Sequence, residues 1–160
     1  MHTVTSDTFR RAMSHFATGV AVVTARGTEG ECGATISALS SVSLDPLTLL
    51  VCLHRKSATC SAIEESGAFG LSILNKAQQG MAMHFAGKSD EKSFDDYCVQ
   101  NDNGHFFVRD SLVKIGVSVV ETLRGGTHEI FLAKPVSIEF HPDRASQPLL
   151  YFRGAFDLLA

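Results

Sequence analysis

Runs of β-branched and apolar residues dominate the chain, and polar turns or short stretches with helical spacing separate them. Near the amino terminus the apolar side chains recur on one helical face, which predicts a helix over residues 6–16. The apolar runs that follow are rich in Val, Ile, Leu and Phe, so they predict strands. These strands are expected over residues 20–26, 34–39, 47–53, 68–74, 112–123, 129–140 and 149–156.

Two capping patterns predict further helices. Ser57 can cap the start of a helix that runs to about residue 66. Asn75 and Gln78 have the spacing of a capping box, which predicts that another helix begins there. Residues 86–103 are polar and mixed, so we expect a long loop or a small helical excursion in that segment.

The predicted strands outnumber the helices and do not alternate regularly with them. This order favours a mainly β protein, with an antiparallel sheet closed into a barrel and a few helices outside it. The continuous apolar run over residues 47–53 is typical of a central strand. No G-x-G-x-x-G turn follows a strand, which argues against a Rossmann fold. We expect residues 1–160 to form a single domain.

Composition and charge narrow the class of protein. The chain has 160 residues, of which 44% are hydrophobic and 19% are charged, as in a globular domain. Its net charge of −3 favours neither nucleic acid nor an anionic membrane as a partner. No apolar run approaches the ~20 residues of a membrane span, and the first residues lack the pattern of a signal peptide.

The cysteines and histidines show no metal-binding pattern. Cysteines 32, 52, 60 and 98 lack C-x-x-C spacing and lie among apolar or small residues. They are expected to be buried, reduced thiols of a cytoplasmic protein rather than disulfides or zinc ligands. The seven histidines show neither H-x-x-x-H nor H-E-x-x-H spacing, so no metal site is predicted.

The stretch GATISALSSVSLDP, residues 33–46, carries five hydroxyl side chains and one charge. Small hydroxyls donate and accept hydrogen bonds and let a ligand approach the backbone. A wall of them would therefore suit the edge of a flat heteroaromatic ring such as flavin. The alternative is an exposed serine-rich connector whose hydroxyls satisfy its own backbone, and from this stretch alone that is the commoner outcome.

The segment RKSATCSAI, residues 55–63, is a candidate phosphate site. Arg55 and Lys56 precede the predicted helix start at Ser57, and Thr59 lies in the first turn. A helix amino terminus offers unpaired N–H groups and partial positive charge, to which the two cations would add. An ordinary capped helix with solvated basic residues explains the pattern equally well.

Two more polar segments could contact a ligand. The segment HFAGKSDEKSF, residues 84–94, has a helix-breaking glycine and lysines among acids, and a solvated loop is its simplest interpretation. In LRGGTHEIFLA, residues 123–133, His128 follows a glycine turn that leads into a strand. A histidine on a loop rim could meet a ligand, although an exposed turn histidine is the usual outcome.

Taken together and in this order, these segments resemble the short-chain flavin reductases, the reductase partners of two-component flavin monooxygenases. The resemblance covers nearly the whole chain and is closest to the reductase component of 4-hydroxyphenylacetate hydroxylase. It rests on six landmarks: FRRAMSHFATGVAVVT (9–24), GECGATISALSSVSLDP (30–46), LLVCLHRKSAT (49–59), FGLSILNKAQQGMAMHFAG (69–87), GTHEIFLAKP (126–135) and PLLYFRGAF (148–156).

The resemblance implies a split β-barrel, a homodimer, and flavin bound near the dimer interface. It places the flavin ring beside the hydroxyl stretch, the phosphate at the RKSATCSAI segment, and the flavin tail beneath the HFAGKSDEKSF segment. His128 would be the catalytic residue on the nicotinamide side, beside the carboxy-terminal motif. The implied cofactor-binding residues are Thr35, Ile36, Ser37, Ser40, Ser41, Arg55, Lys56, Ser57, Thr59, Ala86, Gly87, Phe94, Tyr151 and Phe152.

A protein that resembles this family is expected to transfer hydride from NADH, or from NADPH, to FMN or FAD and to supply reduced flavin to an oxygenase component. Two other functions stay open. A split barrel could bind flavin or haem without catalysing a reaction. A pyridoxamine-phosphate-oxidase-like enzyme would need further basic residues around a second phosphorylated ligand, and we find none in the sequence.

Overall fold

The structure of the protein is a computed structural model, and it describes residues 3–88, 91–143 and 147–156. This part of the chain forms twelve strands: β1 Thr18–Gly19, β2 Ala21–Gly27, β3 Gly30–Ile36, β4 Leu39–Leu44, β5 Leu47–His54, β6 Ala68–Ile73, β7 Cys98–Gln100, β8 Phe106–Val108, β9 Val113–Gly125, β10 His128–Phe140, β11 Leu150–Phe152 and β12 Ala155–Phe156. Its helices are α1 Ser6–Met13, α2 Ala58–Ser66, α3 Gln79–Phe85 and α4 Phe94–Tyr97, and a 3-10 turn covers Lys76–Gln78.

Seven of the strands form one antiparallel sheet in the order β3-β2-β6-β9-β10-β5-β4. Two smaller sheets contain β1, β11 and β12, and β7 with β8. This arrangement confirms the predicted mainly β class. Strands β3 and β4 are the two edges of the large sheet. They do not pair with each other in the described residues, so a barrel closed by hydrogen bonds is not confirmed.

Strand β2 lies between two hydrophobic cores, which explains why residues 21–25 are all buried. Val23 belongs to the first core, which lies between the large sheet and α2. Val22 belongs to the second core, together with Leu74 and Phe85. Both valines are completely buried. A strand that is covered on both faces does not alternate between apolar and polar residues.

The two predicted capping motifs are confirmed. The Ser57 hydroxyl accepts a hydrogen bond from the Cys60 N–H at 3.2 Å and so caps α2. Asn75 and Gln78 form the capping box of the 3-10 turn before α3, and the Gln78 side chain accepts from the Asn75 N–H at 2.9 Å. Each motif is completed by groups at most three residues apart, so sequence spacing is enough to predict it.

Other predictions need correction. Most of the hydroxyl stretch is not a connector: residues 33–36 belong to β3 and residues 39–44 form the edge strand β4, whose polar residues give no apolar periodicity. Because β4 lies outside it, β5 is second from the edge rather than central. The strand expected over residues 149–156 is the β11–β12 hairpin. The segment 86–103 contains α4 and β7, and its residues 89–90 lie outside the described part.

Candidate functional site

The hydroxyl stretch runs from the end of β3 through a two-residue link into β4. Ile36 is buried in the first core, and the Thr35 hydroxyl donates to the carbonyl oxygen of Ala82 at 2.7 Å. The Ser40 hydroxyl donates to the Ser41 carbonyl at 3.2 Å, as the connector interpretation expects for hydroxyls that satisfy their own backbone. Three predicted ring contacts remain exposed to solvent: Ser37, Ser40 and Ser41. Any ring contact at Thr35 and Ile36 would therefore be made largely by their backbone groups.

A cavity of about 710 Å³ lies beside this wall. Phe16, which follows α1, and Leu50 of β5 provide apolar lining, and Ser37, Ser40 and Tyr151 line the same space. Its volume is in the range of small-molecule sites, which are mostly apolar with a few well-placed polar groups. The structure thus brings together three predicted site residues that are far apart in sequence.

The same cavity has a basic rim that the sequence analysis missed. Arg10, Arg11 and Arg153 all line it, and Arg10 pairs with Asp7 at 3.0 Å. Arg153 occupies the β11–β12 turn with φ of +50°, a backbone conformation that usually selects Gly or Asn. Its guanidinium lies 5.1 Å from the centre of the Phe152 ring. Arginines in this position suit an anionic ligand group such as phosphate.

A smaller cavity of about 250 Å³ lies where β5 ends, and it joins the predicted phosphate segment to the turn before His128. The Arg55 N–H donates to the Thr127 carbonyl at 3.0 Å, and the Arg55 guanidinium donates to the Gly126 carbonyl at 3.4 Å. These bonds hold the two turns together. The lining residues are His54, Arg55, Lys56, Gly126 and Thr127.

The two predicted cations have different surroundings. The Arg55 Nε lies 3.4 Å from Oε1 of the buried Glu129, which the Arg124 Nε also approaches at 3.7 Å. Lys56 is exposed, and its ammonium group has no ion-pair partner in the part of the chain that the structure describes. Lys56 is therefore the better candidate to contact an external phosphate.

Ser57 and Thr59 both serve the protein itself. The Ser57 hydroxyl donates to the His54 carbonyl at 2.8 Å while it caps α2. Thr59 is 2% exposed, and its hydroxyl lies beside the Cys32 thiol. A phosphate at this helix start would be contacted mainly by backbone N–H groups, so a side-chain contact from either residue stays a prediction.

His128 begins β10 and is exposed. It lies directly opposite His54 of β5, and the two ring centroids are 5.3 Å apart with an interplanar angle of 77°. The Thr127 hydroxyl and Nδ1 of His128 are joined by a hydrogen bond of 3.0 Å, which leaves the Nε2 atom available to another partner. The sequence analysis missed His54, because only the strand register shows that the two rings meet.

Both cavities lie on one face of β5. Leu50 lines the larger cavity and His54 the smaller one, and the four-residue spacing corresponds to about 13 Å along the strand. The Cys52 N–H between them donates to the Ala38 carbonyl at 3.2 Å, and Cys52 pairs with Ile130 of β10. The two cavities therefore follow each other along β5, the larger beside the hydroxyl wall and the smaller at His54.

Most of the predicted site residues line neither cavity: besides Phe152, these are Thr35, Ile36, Ser41, Ser57, Thr59, Ala86, Gly87, Phe94 and His128. Gly87 has a φ of +83° just after α3, and the half-buried Phe94 ring packs 6.1 Å from Phe85 and 5.6 Å from Phe106, measured between centroids. Contact of Ala86, Gly87 and Phe94 with a flavin tail stays a prediction. The Phe152 ring lies 6.3 Å from that of His15.

The four cysteines are free thiols, of which Cys60 and Cys98 are buried and Cys32 and Cys52 half-buried. Burial raises the pKa of Cys60 to about 11 and that of Cys98 to about 12, so these thiols are neutral. In residues 3–88, 91–143 and 147–156, no group of three or more His, Cys, Asp or Glu side chains could hold a metal ion. None of the described helices combines the length and apolar character needed to cross a membrane.

Comparison with known proteins identifies the family. The family model described as flavin reductase like domain matches residues 13–160. The chain is 37% identical over 148 residues to the reductase component of 4-nitrophenol 4-monooxygenase/4-nitrocatechol 2-monooxygenase from Rhodococcus opacus. This match covers 92% of the chain and 78% of that protein. It is 32% identical over 152 residues to the 4-hydroxyphenylacetate 3-monooxygenase reductase component of Salmonella typhimurium, which covers 92% of this chain and 88% of that protein.

A solved structure agrees with these relatives. The Streptomyces globisporus NADH:FAD oxidoreductase SgcE6, in complex with NAD and FAD fragments, matches with a TM-score of 0.87 and 27% identity. The match covers 100% of this chain and 98% of that chain. The resemblance inferred from the sequence landmarks is confirmed, and the chain belongs to the family of proteins with a flavin reductase like domain.

Proposed function

We propose that this protein is an NAD(P)H:flavin oxidoreductase. It transfers hydride from NADH to FMN or FAD and supplies the reduced flavin, by diffusion, to the oxygenase component of a two-component monooxygenase. Relatives named as reductase components of monooxygenases, and a structural neighbour that holds NAD and FAD fragments, support this proposal. The structural observation that carries it is the 710 Å³ cavity, where serine hydroxyls, Tyr151 and an arginine rim converge.

The residues of the site fit a flavin nucleotide. The apolar lining suits a flat ring, the neutral hydroxyls suit its edge of mixed donors and acceptors, and the cations suit phosphate. A bound flavin supplies the ring that accepts the hydride, so the protein has to bind and orient the two nucleotides. In this proposal Ser37 and Ser40 bind the ring, Lys56 binds the phosphate and His128 contacts the nicotinamide.

The experiment that tests the function is NADH oxidation by the purified protein, followed by the loss of NADH absorbance. We expect rapid oxidation only when FMN, FAD or riboflavin is added, and the same series with NADPH gives the preference between the two donors. Failure of all three flavins to stimulate the reaction would contradict the proposal. Stoichiometric flavin binding without turnover would instead identify a non-catalytic flavin-binding module.

The residue roles have their own test. Lys56→Ala should raise the KM for FMN more than the KM for riboflavin, because riboflavin has no phosphate. His128→Ala should raise the KM for NADH more than it weakens flavin binding. Lys134→Ala, which removes an exposed lysine of β10, is the matched control. Equal losses with FMN and riboflavin would remove Lys56 from the phosphate site, and unchanged NADH kinetics would remove His128 from the nicotinamide site.

We further propose that the protein is a homodimer in which a second copy covers the apolar face of α1. No residue of α1 is buried, and Phe9, Met13 and Phe16 on and just after it are 62%, 53% and 71% exposed. Apolar side chains grouped in this way usually mark an interaction surface. Light scattering should give twice the mass of one chain, and Phe16→Glu should shift it toward the monomer. A monomeric wild-type protein would contradict the proposal.

We also propose that the large sheet curls into a single split-barrel domain. Its two edge strands follow each other in sequence, with only Ser37 and Ala38 between them. Seven flat strands would separate the two edges by about 29 Å, whereas this link spans about 10 Å, so the sheet has to bend until its edges approach each other. A cytoplasmic location is our proposal too, and the four free thiols support it.

A further inference from the structure

His54 lines the small cavity, and its ring packs against the ring of His128. It ends β5, it is exposed, and its register partner across the sheet is His128 at the start of β10. The edge-to-face arrangement of the rings, at 5.3 Å and 77°, is a favourable geometry for an aromatic pair. The His54 ring therefore limits the positions that the His128 ring can adopt.

The same ring has a second contact, on the side of the phosphate segment. Nδ1 of His54 accepts a hydrogen bond from the Lys56 N–H at 3.1 Å. The His54 carbonyl accepts from the N–H of Ser57 at 2.9 Å and from its hydroxyl at 2.8 Å. Both the side chain and the carbonyl group of His54 thus accept hydrogen bonds from the turn that carries Lys56. Since Nδ1 is an acceptor here, the proton of the neutral ring is on Nε2.

The contacts of His54 link the proposed phosphate site to the proposed nicotinamide site. Lys56 belongs to the proposed phosphate site and lies in the turn after β5. His128 belongs to the proposed nicotinamide site and begins β10 directly after another turn. The Arg55 N–H also joins these turns through its bond to the Thr127 carbonyl at 3.0 Å. The His54 ring adds a side-chain connection, which a substitution can remove.

We propose that His54 is a positioning residue with two separable roles: its Nδ1 orients the Lys56 turn toward a phosphate, and its ring holds His128 toward the nicotinamide. This inference rests on the proposed function. A residue needed only for folding would affect both substrates alike, or would change stability alone. Two roles on different parts of one ring can instead be separated by two substitutions.

The substitutions are His54→Asn and His54→Phe. Asparagine keeps an acceptor close to the position of Nδ1 but removes the ring that packs on His128. Phenylalanine keeps a ring but removes the acceptor. We expect His54→Asn to raise the KM for NADH roughly three- to tenfold and to leave the preference for FMN over riboflavin unchanged. We expect His54→Phe to reduce that preference roughly three- to tenfold and to leave the KM for NADH within about twofold.

A matched control is available in another histidine with the same local hydrogen bond. Nδ1 of His141, just beyond the other end of β10, accepts from the Asp143 N–H at 3.1 Å, the same two-residue bond that His54 makes to Lys56. His141→Phe removes an equivalent bond away from the site and should leave both kinetic parameters unchanged. Because both histidines lie at strand ends near the surface, we expect all of these variants to fold, and circular dichroism checks this.

The proposal is supported if His54→Asn changes only the KM for NADH and His54→Phe changes only the preference for FMN. It is overturned if both variants change both parameters in the same proportion, or if neither parameter moves. If Lys56→Ala reduces the preference for FMN but His54→Phe does not, only the role of His54 is wrong and the proposed function stands. If Lys56→Ala leaves that preference unchanged, the phosphate site and this proposal are both wrong, while flavin-dependent NADH oxidation is still judged by its own assay.

Discussion

Substitution of Arg55 separates a structural cation from a ligand-binding one. The sequence places Arg55 and Lys56 together at the predicted phosphate site, but the Arg55 guanidinium lies 3.4 Å from a carboxylate oxygen of Glu129. The Glu129 side chain is 9% exposed, so Arg55→Ala leaves a nearly buried carboxylate whose remaining ion-pair partner among the described residues is Arg124, at 3.7 Å. We therefore expect Arg55→Ala to reduce the free energy of unfolding.

The size of the loss follows from the exposure of the pair. Exposed ion pairs contribute up to about 1 kcal/mol, and loss of one partner from a fully buried pair costs about 3–5 kcal/mol. The Arg55 side chain is 41% exposed and Arg124 compensates in part, so we expect about 1–2 kcal/mol. For a chain of this length that corresponds to a decrease in Tm of roughly 3–6 °C.

Urea unfolding of a double-mutant cycle with Glu129→Gln measures the interaction directly. In the Glu129→Gln background the carboxylate is absent, so Arg55→Ala should cost roughly a third of its effect in the wild-type background or less. Arg55→Ala should also leave the preference for FMN over riboflavin close to that of the wild type, unlike Lys56→Ala. Equal destabilisation in both backgrounds, or a stable Arg55→Ala protein that loses the preference for FMN, would refute this reasoning.

Two further predictions concern packing and thiol reactivity. Gly70→Ala should destabilise the protein strongly, because the added methyl group would overlap the Phe106 carbonyl oxygen. Gly80→Ala in α3 adds a methyl group that meets nothing within 4 Å, so it should stabilise the protein by up to about 1 kcal/mol. The midpoints of urea unfolding compare the two variants. Near pH 8 the raised pKa values leave roughly one thiol in 10³ ionised at Cys60 and one in 10⁴ at Cys98. A thiol reagent should therefore label these two cysteines quickly only when urea unfolds the protein. Fast labelling of the native protein would contradict their burial.

Features of the fold that depend on neighbouring residues could be predicted from the sequence. The caps at Ser57 and Asn75 are completed within a few residues. The consecutive apolar residues at the start of β2 indicate a strand that is buried on both faces. Strand β4 could not be found in this way, because its serines form a strand only by pairing with β5. The edge position of β4 also leaves Ser40 and Ser41 exposed, and the spacing of apolar residues cannot predict this exposure.

The site is less predictable than the fold, since its residues meet through the register of distant strands. The family landmarks pointed to Ser37, Ser40 and Tyr151, which the structure places around one cavity. His54 gave no signal, because a lone histidine at the end of an apolar run has no partner in the sequence. Arg153 gave none either, since its place at the rim depends on the β11–β12 turn.

The packing of the core fixes the geometry of the proposed site. Leu49, Val51 and Leu53 of β5 are buried, so the alternate residues Leu50, Cys52 and His54 lie on the other face. A slip of one residue between β5 and β10 would move His54 into the core and expose these three side chains, which the loss of apolar burial opposes. The face that carries Leu50 at one cavity and His54 at the other is therefore maintained by residues that contact neither. For this reason, substitutions such as Val51→Ala should act on the site only through stability, whereas changes at His54 act on it directly.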